Sequence, residues 1–192
     1  MSTMSGVSAQ VSDPSVTTKW PDITVSGIVH SLAHLHPIVF DVDGIEENLP
    51  QPMRLYVRFS DHCFGEHESK CTANPIFIFP WCSQNSNDRR AFSPARFAFK
   101  DLPTHVALLN NARVFQSSNK RNFMFQTSTC DPAGNRYAFY FNVTKAGRGF
   151  AHHLEMNVVS CFAASNHISK LGRNPKSSRF NMLCGRVYTG RR

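Results

Sequence analysis

The sequence predicts an α+β fold, an antiparallel β-meander with one or two short helices packed on one face. Three observations carry that expectation. Residues 53–60 alternate apolar and polar with period two, as a strand with one buried face does. Residues 123–127 and 136–143 are aromatic-rich runs joined through Asp131-Pro132-Ala133-Gly134-Asn135, a turn-forming stretch. Ser93-Pro94 opens a helix, because serine suits the N-cap and proline the first helical position.

In chain order, residues 1–20 read as a disordered arm, and residues 1–16 lack the basic segment and apolar core of a secretory signal. Residues 21–192 read as one basic domain. Residues 23–28 fit a short strand, and residues 29–37 a helical turn ended by Pro37. The acidic stretch 41–47 carries turn chemistry at Asp43-Gly44 but not the ligand spacing of a calcium loop, so a solvated loop is expected. In residues 53–60 the set Met53, Leu55, Val57 and Phe59 faces inward. Arg54, Arg58 and Ser60 take the other face, and His62 continues it. Residues 63–92 form an irregular insertion broken by an apolar run at 76–81. The helix begun at Pro94 has apolar positions at Phe97, Leu102, Val106 and Leu109; Pro103 must kink or restart it before Asn110-Asn111. Strands at 123–127, 136–143 and 154–162 follow. A basic loop, 170–179, leads to a last strand over 180–188.

Composition bounds the function. With 41% hydrophobic residues and 16 phenylalanines in 192 residues, the chain closes a core without metal or disulfide support, and no cofactor is expected. No apolar run approaches the length of about 18 residues that a membrane helix needs, so no membrane partner is expected. Most of the six cysteines are read as reduced, which suits a cytoplasmic location, with Cys161 and Cys184 as small buried hydrophobes. The net charge of +8 is unevenly spread: residues 1–70 hold nine acids and four bases, residues 71–192 four acids and seventeen bases. Such a field attracts polyanions, and nucleic acid, RNA first, is the expected partner.

Two clusters could carry chemistry. Cys63, His67, Cys71 and Cys82 are zinc-ligand types, but the paired CxxC spacing of a zinc knuckle is missing, so the expectation is a loop without metal. Ribonuclease chemistry needs a base near a ribose hydroxyl, an acid for the leaving oxygen and cations for the phosphorane charge. His62, His152 and His153 are of the residue type that can exchange a proton near neutrality, and Arg58, Arg121, Arg136, Lys145 and Arg148 can neutralise phosphate. The bland alternative is a strand-end histidine and a solvated loop. Basic and aromatic residues adjoin at Lys120-Arg121-Asn122-Phe123 and Arg136-Tyr137, a composition that stacks bases unless the rings face inward.

A helix followed by antiparallel strands, with Val158, Ser160 and Phe162 late in the sheet, resembles the small RelE-type and barnase–EndoU–colicin-like nuclease group of mobile elements, over roughly residues 54–165. The resemblance implies metal-independent RNA cleavage by side chains projecting from the sheet. It matches Ser160 to the late-strand hydroxyl and His62 to the early-strand histidine. The expected catalytic set is therefore His62, Arg58 and Ser160, and the expected nucleic-acid contacts are Arg121, Arg136, Lys145 and Arg148. The leading reading is a basic, toxin-like ribonuclease of a phage or mobile element, with a protein partner or an antitoxin beside the nucleic acid. The alternative is a non-catalytic nucleic-acid-binding or interaction protein with a zinc-stabilised loop, and the sequence leaves catalysis itself open.

Overall fold

The computed structural model describes residues 20–44, 49–71, 76–81, 87, 89–118, 121–165, 167–168, 171 and 175–191. Most of the expected arm, the end of the acidic stretch, Cys82, Lys120 and much of the basic loop 170–179 lie outside the described residues.

The first hairpin, β1 (Ile23–Val25) with β2 (Ile28–His30), turns at Ser26 and Gly27, both at positive φ (50° and 80°). A two-residue loop with φ > 0 at both positions matches the twist of antiparallel strands. The helical turn expected over 29–37 is therefore shorter: a 3-10 turn, Ala33–Leu35, whose Leu35 is buried. β3 (Ile38–Val42) and β4 (Met53–Phe59) then pair antiparallel, Phe40 opposite Leu55 and Asp41 opposite Arg54. β4 has the predicted alternation, with Met53, Leu55, Val57 and Phe59 buried and Arg54 and Arg58 exposed.

The described part of the insertion is more regular than its composition suggests. It holds a 3-10 turn Asp61–Cys63, β5 (Gly65–His67), a second turn Glu68–Lys70, and β6 (Arg90–Phe92) antiparallel to β5. Phe64, Phe79 and Trp81 close an aromatic cluster with Trp20, whose indole N–H donates to the Phe59 carbonyl at 2.8 Å. Gly65 permits this approach: a Cβ there would lie 2.4 Å from the Phe79 ring.

Two short helices follow, α1 (Pro94–Phe97) and α2 (Leu102–Ala107). Pro103 lies in the first turn of α2, where a missing N–H costs nothing, so it restarts the helix. Ser93 takes the N-cap position of α1, although its hydroxyl makes no capping bond. β7 (Arg113–Gln116), β8 (Phe123–Cys130), β9 (Arg136–Lys145) and β10 (Leu154–Ala163) are each antiparallel to the next. β11 (Ser177–Arg179) pairs with β7.

The seven-stranded sheet runs β11-β7-β8-β9-β10-β4-β3, and one of its pairings, β10 with β4, is parallel. The whole is mixed α+β, built on a large sheet rich in antiparallel pairs. Among the described residues no helix is long and apolar enough to cross a membrane. The five described cysteines, Cys63, Cys71, Cys130, Cys161 and Cys184, are free thiols.

One expected element is overturned. Residues 180–188 form not a strand but the helix α3 (Phe180–Thr189). Phe180, Leu183 and Cys184 are buried and Val187 packs against the same core, a spacing of three and four that winds one apolar stripe on a helix. Phe180 sets its ring edge-on to Phe141, 5.8 Å away. Gly190, at φ 72°, ends the helix in the left-handed conformation.

Two stability outcomes follow from this packing. Leu55 is fully buried between neighbouring strands, so Leu55→Ala is expected to cost about 2–5 kcal/mol in urea unfolding. Arg54→Ala, at a half-exposed pair with Asp41 3.7 Å away, is expected to change stability by less than about 1 kcal/mol. Burial, with help from Lys100, lowers the pKa of His34 from 6.5 to about 4. The native state thus binds fewer protons there than the unfolded chain, so this contribution to stability is complete above pH 6.5 and falls as the pH drops towards 4. Unfolding curves across that window should show a shallower decline for His34→Gln than for the wild type.

Candidate functional site on the outer face of the sheet

Side chains alternate along a strand, so the register of three strands decides what meets on the face turned away from the core. β10 places Glu155 beside Tyr56 and Asn157 beside Arg58 on β4, and the same residues beside Thr144 and Asn142 on β9. Tyr56, Arg58, Glu155, Asn157 and Asn142 thereby share the outer face, while Leu55, Val57, Met156 and Phe141 fill the core.

A continuous polar chain forms there. Arg58 Nη2 donates to Glu155 Oε2 at 3.0 Å, and the other carboxylate oxygen lies 3.4 Å from His152 Nε2. The imidazole stacks on Tyr56, with ring centres 5.1 Å apart and planes 25° from parallel, and Phe150 flanks it at 5.1 Å. Arg58 is about half exposed, at 47%, whereas the His152 side chain is only 10% exposed. A carboxylate is thus held between a guanidinium open to solvent and an imidazole fixed by two rings. That arrangement can pass a proton and receive a phosphate.

Further along β10 the pairing with β9 slips, from Val158 opposite Phe141 to Ser160 opposite Tyr140, with Val159 as the extra residue. Such a bulge moves every later side chain to the other face. Counting by twos from buried Val158 would send Ser160 inward; after the bulge Cys161 is in the core and Ser160 and Phe162 face out. β4 has ended at Phe59, and the Asp61–Cys63 turn takes its place. Arg96 of α1 ties the two: its Nη1 donates to the His62 carbonyl at 2.7 Å and to Ser160 Oγ at 3.3 Å. The guanidinium also sits 5.3 Å over the Phe162 ring. Burial lowers the pKa of Arg96, opposed by the charge of Glu66. Tyr140 stacks on Phe162 at 5.7 Å, and its hydroxyl lies 3.3 Å from Nδ1 of the buried His167. Burial raises the Tyr140 pKa, which keeps the phenol protonated. Ser160, Tyr140 and Phe162, with Ser117 and Asn122, line an open recess of about 290 Å³.

The expected residues divide between these places. Arg58 belongs to the Glu155–His152 chain, and Ser160 to the Arg96 group. His62 leaves the strand face on which period-two counting puts it, because the backbone turns at Asp61; its Nε2 lies 3.9 Å from Asp61 Oδ1, and its carbonyl serves Arg96. Lys145 fastens α3 to β9, with Nζ donating to the Tyr188 carbonyl at 2.9 Å and lying 4.3 Å from the centre of the Tyr188 ring. Arg136 and Lys145 occupy opposite ends of β9, about 30 Å apart at roughly 3.3 Å per residue, too far to hold one phosphate. Arg148 is exposed in the following turn, and Arg121 lines a separate cavity near β11.

Sequence reasoning missed Tyr56, Arg96, Tyr140, Glu155 and His167. One signal for Glu155 was present: it is the last acid in a chain end that is otherwise basic, set at the start of a strand.

Of the four zinc-ligand types, Cys82 lies outside the described residues. Cys63 is buried against the Val158 carbonyl with its pKa pushed up to about 12, His67 bonds Ser69 and the Asn87 carbonyl, and Cys71 points to the Phe92 carbonyl. The three described side chains thus have separate partners.

Arg96→Ala is expected to destabilise the protein by about 1.5–3 kcal/mol, the usual worth of hydrogen bonds to a charged group. Arg96→Lys, a single point charge in place of the planar guanidinium, should recover only part of it in the same denaturation assay.

No curated protein and no solved structure matches the chain significantly. Among protein-family models, that of the YjaZ family matches residues 22–188, from the residue before β1 to one residue short of the end of α3. With nearly the whole folded region inside that match, the chain belongs to the YjaZ family.

Proposed function

We propose that this protein acts on RNA, as a ribonuclease working by acid–base transfer on the outer face of β4 and β10. The observation that carries the reading is the contact chain Arg58–Glu155–His152 on a solvent-facing part of the sheet. In this mechanism Glu155 takes the proton of a ribose 2′-hydroxyl, whose oxygen attacks the adjacent phosphorus. The bond from phosphorus to the 5′-oxygen breaks, and that oxygen leaves with a proton from His152. The products are a 2′,3′-cyclic phosphate and a free 5′-hydroxyl. Arg58 neutralises the charge that gathers on the phosphorane oxygens, and Tyr56 fixes the imidazole plane. Ser160, with His62 behind it through Arg96, forms the wall on which the neighbouring nucleotide rests.

The antiparallel meander from β7 to β10, with short helices on its core side, agrees with the resemblance to small nucleases of mobile elements. On that reading the protein is a cytoplasmic, toxin-like enzyme and an antitoxin is its protein partner. A second reading, binding without catalysis, is favoured by one specific feature: Arg58 already engages the carboxylate that would act as base. The exposed Arg121, Arg136 and Arg148 would then follow a nucleic-acid backbone instead of serving one phosphate.

Single-turnover cleavage of a labelled RNA, run beside a binding titration, separates the two. His152→Ala and Glu155→Gln should each lower cleavage by about a hundredfold or more with little change in binding. Arg58→Ala should weaken both, and RNA affinity should fall steeply with added salt. Intact binding with no cleavage by the wild type removes the enzyme and leaves the binding module.

A further inference from the structure

The sheet edge farthest from β3 carries a cavity of about 940 Å³, near the upper end of the usual range for ligand sites. It arises because β11 pairs with β7 for only three residues before the chain turns into α3 at Phe180. Val114 of β7, Phe123 of β8, and Leu183 and Val187 of α3 give it an apolar floor. Leu183 and Val187 are one helical turn apart, so both point the same way, with Arg186 beside them.

The rim has the opposite character. Arg121, Lys176, Arg186 and Arg191 line it, together with the Ser177 and Ser178 hydroxyls, and among the described residues no carboxylate does. Arg186 and Arg191 stand at the C-terminal end of α3, where cations complement the helix dipole. Arg121 and Lys176 come from the β7–β8 connection and from the approach to β11. Four cations from three parts of the chain converge on one opening, a field that favours an anion there.

We propose that this cavity binds a nucleoside phosphate, with the base against Phe123, Leu183 and Val187 and the phosphates held by Arg121, Lys176, Arg186 and Arg191. Arginine forks match phosphate oxygens two at a time, and an aromatic ring accepts the face of a base. The occupant is either a free nucleotide or the phosphorylated end of an RNA strand, which present the same chemistry. The site lies across the sheet from the Arg58–Glu155–His152 chain, so it stands apart from the proposed cleavage.

Isothermal titration of the full chain with ADP, adenosine, pyrophosphate and a 5′-phosphorylated tetranucleotide tests it. ADP should bind saturably, with adenosine and pyrophosphate each at least about tenfold weaker, since each keeps only half of the contacts. Arg186→Glu and Arg121→Glu, both at exposed positions that spare the fold, should each weaken ADP by about tenfold or more. Lys70→Glu, outside the cavity, should leave ADP binding unchanged. Competition between the tetranucleotide and ADP assigns the site to a strand end, and its absence beside firm ADP binding assigns it to the free nucleotide; either supports the proposal. Three results overturn it: no saturable binding of ADP or tetranucleotide, ADP affinity indifferent to both charge reversals, or pyrophosphate binding as tightly as ADP. Because ADP is read without RNA, the outcome is independent of whether the protein cleaves.

Discussion

The parallel pairing of β4 with β10 holds the molecule together, since it joins two parts of the chain about a hundred residues apart. Leu55, Val57 and Phe59 meet Leu154, Met156 and Val158 across it, all buried, and each turns its apolar surface into a common core. Its lower end is locked by His153, whose Nδ1 accepts from the Arg54 amide at 2.9 Å while its own amide donates to the Arg54 carbonyl at 2.8 Å. An Nδ1 that accepts from an amide carries no proton of its own, so this nitrogen is committed to the backbone. The same lock holds the preceding loop and sets His152 against Tyr56 and Glu155. The site on the outer face thus inherits its geometry from the joint beneath it.

Where β4 stops, β10 would present an open edge, and unpaired strand edges invite other strands to pair with them. The Asp61–Cys63 turn covers the start of that edge: the Ser60 amide and hydroxyl donate to the Val158 and Val159 carbonyls at 3.0 and 2.6 Å. Arg96 continues the cover from α1. The Val159 bulge belongs to the same solution, because it sends the Ser160 hydroxyl outwards to meet the guanidinium. A half-buried arginine is costly unless its donors are satisfied, and here a carbonyl, a hydroxyl and a ring face share the charge.

The charge asymmetry of the chain becomes an asymmetry in space. β3 and β4, from the acidic first part, form one edge of the sheet, and β11, β7 and α3, from the basic remainder, form the other. Strand order sorts the charges that sequence order had merely separated. At the β3 edge acids and bases pair, as Asp41 does with Arg54. At the β11 edge the charged side chains of the cavity rim are, among the described residues, all basic. Any attraction that this charge distribution exerts on a polyanion is therefore strongest on that side.

Local sequence was enough to determine β4 and the β8–β9 hairpin, because each depends on neighbours in sequence: alternation and turn chemistry. At Pro103 it left a kink or a restart open, and the fold takes the restart. The basic character was equally legible, since net charge does not depend on fold. Residues 180–189 show where local reading fails. Their aromatic and β-branched content suits a strand, yet the stripe Phe180, Leu183, Cys184 and Val187 buries more completely as a helix against Phe141. The face of Ser160 turned on a single bulged residue, which no alternation pattern announces. Above all, the meeting of Arg58 with Glu155, and of Arg121 with Arg186, was decided by the parallel register of β4 on β10 and by the fold of α3 over β11. Those long-range choices are made by the burial of whole strands and helices, and the sequence around each residue carries no record of which distant segment will lie beside it.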